Sequence, residues 1–261
     1  MKQRKVLNII IILILYIGII NINIIRFKID LLSSLNYYIQ RPIILSIETI
    51  ITLLISFLLI KFLNSKRKVF DILGLSKKIA KGWFIAFLFT LPMLIGFLFV
   101  APLQGFTQKS LLMILYNAIL AGFVEELIFR AFPIAFLHRI LKVGFLPTIL
   151  ITSFLFAFMH IGQGNGDISE IINVLLITFI GSFVFGWVFI EWDYNLWIPI
   201  GLHTFMNMYW MAFDLNSPNV VGSFWANLFR GISILLIISI TLWRVRKNGS
   251  NLKRKWILIK N

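Results

Sequence analysis

Residues 111–137 read LLMILYNAILAGFVEELIFRAFPIAFL, an apolar run of 27 residues that nonetheless contains three charges, Glu125, Glu126 and Arg130. A helix that crosses a bilayer needs about 20 predominantly apolar residues, and this run exceeds that. The rest of the chain has the same character. Of its 261 residues 59% are apolar and 13% are charged, against about 25% charged in an ordinary soluble protein. With 26 Phe and 8 Trp, there is more apolar surface than a soluble domain of this size can bury. Eight such runs follow one another, at roughly 6–25, 42–63, 82–102, 111–137, 145–162, 171–190, 195–213 and 224–244. The expected fold class is an all-α, polytopic transmembrane helix bundle of about eight spans.

Basic residues orient it. With the N-terminus in the cytoplasm and the spans alternating, the inner side holds Lys2, Arg4 and Lys5, the Lys/Arg cluster from Lys61 to Lys81, Arg139 and Lys142, and the cluster from Arg244 to Lys260. Only Arg26, Lys28, Arg41 and Lys109 fall outside. That imbalance follows the positive-inside bias, and an even span count returns the C-terminus to the cytoplasm. The first run, long and without a small-residue cleavage site after it, reads as a retained signal anchor. The tail Asn251–Asn261 mixes Lys253, Arg254, Lys255 and Lys260 with Trp256 and aliphatic residues. It reads equally as a surface anchor on anionic lipid and as solvated positive charge behind the last helix. The net charge of +15 is thus ascribed to an anionic lipid membrane, not to nucleic acid. The absence of cysteine removes disulfides, thiolate nucleophiles and Cys-type metal sites.

Charges within hydrocarbon cost at least about 2.5–3.5 kcal/mol each on insertion scales, so a span retains them for a reason. On a helix Glu126 and Arg130 are i,i+4 neighbours and can pair. Glu125 points about 100° away, and the position four residues on is Phe129. One carboxylate therefore has a structural explanation and one is left over, poised for proton transfer. Two further runs carry histidine: Phe156-Ala-Phe-Met-His160 and His203-Thr-Phe-Met-Asn207. In each, the first and last residues share a helix face. His203 and Asn207 offer hydrogen-bond donors of the kind that hold a developing oxyanion, so Glu125, His160, His203 and Asn207 can converge on one pocket. Other polar residues have plainer readings. Glu48 is expected to pair across helices, His138 to sit at a cytoplasmic interface, Arg230 to snorkel towards the outer surface, and Ser182 and Gly186 to form a close-packing face.

Glu125-Glu126-x-x-x-Arg130, Phe156-x-x-x-His160 and His203-x-x-x-Asn207 resemble, in order, the three motifs of the CPBP family. These are intramembrane proteases that include type II CAAX prenyl endopeptidases and the Abi proteins of bacteriocin processing and self-immunity. The resemblance spans about 100 residues. It implies three parts: N-terminal transmembrane helices at 1–105, a CPBP/Abi-like catalytic core at 106–215, and a last transmembrane helix with a basic tail at 216–261. It further implies peptide-bond hydrolysis in which Glu125 activates water with His160 assisting. His203 and Asn207 would stabilise the oxyanion, and Glu126 and Arg130 would support them. The family has also been described as metal-dependent; Glu125, His160 and His203 would then be the zinc ligands. No HExxH spacing is present and Asn207 is a better donor than ligand, so the expectation is no cofactor and no metal.

The expected partner is a membrane-associated peptide or protein substrate. Richness in Ile, Phe, Asn and Lys points to a bacterial cytoplasmic membrane. There, processing of a bacteriocin or signalling-peptide precursor, or immunity to one, fits better than cleavage of prenylated proteins. The competing reading is a non-catalytic scaffold or immunity protein that binds a peptide or a sensor kinase. A proton-coupled transporter would also use a membrane Glu, but neither repeated halves nor broken helices are evident.

Overall fold

A computed structural model describes residues 2–25, 35–103, 108–164, 166–215 and 221–252. The described chain is helical: α1 Lys2–Ile25, α2 Tyr37–Phe62, a short α3 Val69–Leu73, α4 Ile79–Val100, α5 at 108–140, α6 Phe145–Phe158, α7 Ile168–Glu191, α8 Trp197–Ala212 and α9 Phe224–Asn248. Among the described residues the one extended pairing is an isolated bridge, Leu103 to Phe213. Six helices are long and apolar enough to cross a membrane, namely α1, α2, α4, α5, α7 and α9. The runs at 145–162 and 195–213 yield shorter helices of 14 and 16 residues. At 1.5 Å per residue these rise about 21 and 24 Å, less than the roughly 30 Å of hydrocarbon. The basic tail beyond Leu252 and the residues Arg26 and Lys28 lie outside the described residues.

Polarity is distributed as a bilayer demands. Phe84, Phe99, Phe154 and Leu235 are exposed on the outer faces, whereas Thr52, Ser56, Thr90, Glu126, Arg130 and Ser233 are buried inside. A soluble protein of this size would do the reverse, because water, not lipid, would face the outside. Three of the buried hydroxyls are satisfied within their own helices: Thr52 donates to the Glu48 carbonyl, Ser56 to that of Thr52 and Thr90 to that of Ala86. Pro92 interrupts the ladder of α4, since it lacks an N–H and crowds the preceding turn. The next amide, Met93 N–H, donates to Ser233 Oγ of α9 at 3.0 Å, so the break becomes a cross-link between helices.

The long helix α5 is the axis of the bundle. It is widened into π-type turns at Leu115–Leu120, Leu127–Ala131 and Ile134–Ile140. Such turns occur mostly as single bulges near functional sites; here they flank the turn that carries Glu125 and Glu126. Close approach of the neighbouring helices depends on small residues. A Cβ on Gly122 would lie 3.1 Å from Thr204 Oγ1 and 3.7 Å from His203 Cβ, and one on Gly186 would lie 1.9 Å from Ile149 Cδ1. Gly122 thus lets α8 touch α5 one turn ahead of the carboxylates. Gly186 lets α7 touch α6, the close packing expected from its spacing with Ser182.

Candidate active site

A cavity of about 530 Å³ opens between α5, α6, α7 and α8, and Glu125, His160, His203 and Asn207 all line it. Each arrives from a different constraint. Asn117, Ala121 and Glu125 succeed one another at intervals of four along α5 and all face the cavity. A regular α-helix drifts over two such steps, whereas the wider turn at Leu115–Leu120 holds the face in line. His160 sits just past the end of α6, where the chain leaves the helix and enters a short 3₁₀ turn at Ile161–Gly164. Irregular backbone at membrane depth is tolerated where it is buried in protein or lines a cavity, and this segment does the latter.

The two adjacent glutamates have opposite environments. Glu126 is fully buried; its Oε1 forms an ion pair with Arg130, 2.9 Å from Nη1, and accepts a hydrogen bond from His203 Nδ1 at 2.8 Å. Glu125 retains 27% side-chain exposure and faces the cavity, with Oε2 3.7 Å from His203 Nε2. The i,i+4 spacing therefore yields the ion pair, and the residue rotated away from it is the one in the cavity. What the spacing does not reveal is that His203 lies between the two carboxylates.

Hydrogen bonding fixes the ring of His160. Its Nδ1 lies 2.8 Å from the Phe156 carbonyl, which can only accept, so Nδ1 carries the proton and a neutral ring has its lone pair on Nε2. In the same way, the Glu126 carboxylate accepts a hydrogen bond from His203 Nδ1–H. His203 can donate from Nε2 as well only when both nitrogens are protonated. Asn207 donates from Nδ2 to the Asn117 carbonyl at 3.3 Å; that amide carries a second N–H.

Aromatic packing joins the three segments. The Arg130 guanidinium lies 4.3 Å from the Phe156 ring centroid and 5.8 Å from that of Phe185. Phe156 in turn packs against His160 in a tilted pair, centroids 4.5 Å apart, and meets Phe129 edge-on at 5.2 Å. Arg130 is therefore a bridge between Glu126 on its own helix and the aromatic seat of His160 on another. Among the described residues no three His, Asp or Glu side chains group at metal-ligand spacing. Glu125, His160 and His203 share the cavity without forming a ligand set.

Several residues differ from their sequence-based expectations. Arg230 does not snorkel: it lines the cavity, lies 4.8 Å over the Trp210 ring and donates to Asn227 Oδ1. Trp210 and Asn227 offer a site inside the protein that an isolated helix would not. His138 is fully buried, with Nδ1 3.0 Å from the Val143 carbonyl, because the chain turns back over the end of α5. Glu48 is buried on α2 and is not among the cavity-lining residues. Asn117, Arg41 and Phe185 line the cavity without having been singled out. For Asn117 a signal existed, since it is a polar residue in an apolar run eight positions before Glu125. Arg41 and Phe185 are placed by packing between helices distant in sequence, which no local pattern carries.

No curated protein and no solved structure matches the chain. Residues 107–209, from the start of α5 to the motif of α8, match the type II CAAX prenyl endopeptidase Rce1-like family. This stretch contains Glu125, Glu126, Arg130, Phe156, His160, His203 and Asn207. Over those residues the multi-pass bundle is similar to a type II CAAX prenyl endopeptidase Rce1-like domain, a likeness consistent with a CPBP family intramembrane protease.

Proposed function

We propose that the protein is an intramembrane endopeptidase that hydrolyses a peptide bond with a water activated by Glu125. The observation that carries this reading is the contrast between neighbours: Glu126 is consumed by Arg130 and His203, while Glu125 keeps its carboxylate in the cavity. Glu125 takes a proton from water as the oxygen attacks the scissile carbonyl, and His160 Nε2 accepts a hydrogen bond from the same water. His203, protonated on both ring nitrogens with Nδ1–H held by Glu126, donates from Nε2–H to the oxyanion, and Asn207 donates its second N–H. The C–N bond then breaks, and the proton held by Glu125 passes to the leaving amine. Glu126 and Arg130 position His203 and the Phe156–His160 pair. General-base and oxyanion contributions of this kind are each worth about 10²-fold or more.

The mechanism uses no metal and no cofactor. The substrate is a membrane-associated peptide or protein, and the setting a bacterial cytoplasmic membrane with anionic lipid around the basic loops. Processing of a bacteriocin or signalling-peptide precursor, or immunity to one, is the biological role most in keeping with this chemistry. Cleavage of an internally quenched membrane-peptide library by the purified protein tests the reading. Wild type is expected to cleave and Glu125→Gln is not. Equal cleavage by both would remove Glu125 from the mechanism.

A further inference from the structure

The bundle has two chemically different ends. At one, the loops are stapled together: Arg139 donates to the Asp71 carbonyl at 3.1 Å, Trp197 Nε1 to the Leu75 carbonyl at 3.1 Å, and Ser250 Oγ to Glu191 at 2.6 Å. Arg244 pairs with Asp193 there at 2.6 Å. This end gathers the basic residues between Lys61 and Lys81, together with Arg139, Lys142, Arg244, Arg246 and Lys247. The opposite end is marked by the Leu103–Phe213 bridge, by Asp214 N–H donating to the Pro102 carbonyl and by Tyr37 donating to Asn117 Oδ1 at 2.7 Å. Among the described residues it carries few basic ones, Arg41, Lys109 and Arg230, beside Asp167, Glu170 and Asp214.

The cavity belongs to the second end. From Glu125 and His203 its lining runs outward through Asn117 to Gln163, Met211 and Arg41, the last three near helix ends on that side. In the other direction the bundle is filled. Leu127, Ile128, Ala131, Phe132, Phe189 and Ile200 are each exposed by 2% or less, and they plug the space between Glu125 and the basic loops. Glu125 lies 14 residues along α5 from Arg139, at most about 21 Å of helix, so it sits deep within the membrane, far from the basic loops. Basic loops stay on the cytoplasmic side.

We infer that the substrate reaches Glu125 from the extracytoplasmic side. This rests on the protease reading of the cavity and names its substrate class. The substrate is a peptide exposed on the outer face or crossing the outer leaflet, such as an exported or membrane-inserted precursor. A lipid-modified C-terminus of a cytoplasmic protein approaches from the closed end.

The natural sequence has no cysteine, so single-cysteine variants report position without a background. In intact cells, a membrane-impermeant maleimide is expected to label Gln163→Cys, at the cavity mouth. Lys66→Cys, among the basic loops, is expected to label only after permeabilisation. Labelling of Lys66→Cys in intact cells, or of Gln163→Cys only after permeabilisation, would overturn the inference. Neither result depends on catalysis, and the same pattern is expected in a Glu125→Gln background, so failure of the protease reading is separately visible. In membrane vesicles, an added quenched peptide is expected to be cleaved by right-side-out and not by inside-out preparations. Cleavage confined to inside-out vesicles would contradict the assigned side.

Discussion

Glu126 holds His203: the carboxylate Oε1 lies 2.8 Å from the imidazole Nδ1, and the same oxygen is 2.9 Å from the Arg130 guanidinium. The first and third sequence motifs are thereby joined through one buried atom. The second is reached through Arg130 and the face of Phe156. Glu126 and Arg130 act through other groups and are positioning residues, which separates their expected phenotypes from those of the residues that touch substrate.

Glu126→Gln is expected to lower kcat by up to about 10⁴-fold, the scale of loss when the carboxylate that orients a catalytic imidazole becomes an amide. It is also expected to destabilise the fold, because breaking a buried pair from one side costs roughly 3–5 kcal/mol. The double variant Glu126→Gln/Arg130→Met removes the uncompensated charge. Thermal unfolding in detergent should show stability recovered in the double variant, while cleavage stays low. Recovery of both together would make the pair purely structural.

Asn207→Ala is expected to reduce kcat by about 10²–10³ with little change in KM, the signature of a lost oxyanion donor. A rise in KM at unchanged kcat would instead assign Asn207 to substrate binding.

Phe156→Leu keeps bulk but removes the ring face shared by Arg130 and His160. A cation–π contact is worth about 0.5–2 kcal/mol, so a rate loss of up to roughly 30-fold is expected, from displacement of His160. Steady-state cleavage at matched expression checks this, and an unchanged rate would show that His160 is held by its backbone hydrogen bond alone.

Gly122→Leu is expected to push α8 away from α5, because even a bare Cβ there meets Thr204 at 3.1 Å. Overpacking of this kind costs about 1–3 kcal/mol, and the His203–Glu126 bond should be lost with it. Gly122→Ala, which asks only a small shift of the Thr204 hydroxyl, is expected to retain most activity. The ratio of the two cleavage rates is the readout.

The legible part of this molecule is what one helix encodes by itself. Apolar run length marks the spans, and the 100° step between Glu125 and Glu126 separates the paired carboxylate from the one in the cavity. Contacts between helices distant in sequence are not encoded that way. Nothing local in 197–212 says that His203 meets Glu126, which depends on the missing side chain of Gly122. Nor does an arginine near a helix end reveal whether it points to the interface or, like Arg230, towards Trp210 and Asn227. Helix length was also hidden, because the run at 145–162 stays apolar beyond the point where α6 ends. That early stop leaves His160 on irregular backbone at the cavity wall.

Whether Glu125 activates the water is decided by cleavage of a quenched membrane peptide by wild type and by Glu125→Gln, each with and without a chelator. The expected result is cleavage by wild type, unaffected by chelation, and none by a Glu125→Gln protein of normal stability. Undiminished cleavage by Glu125→Gln, or wild-type activity lost to the chelator and restored by zinc, would contradict a glutamate-activated water acting without metal.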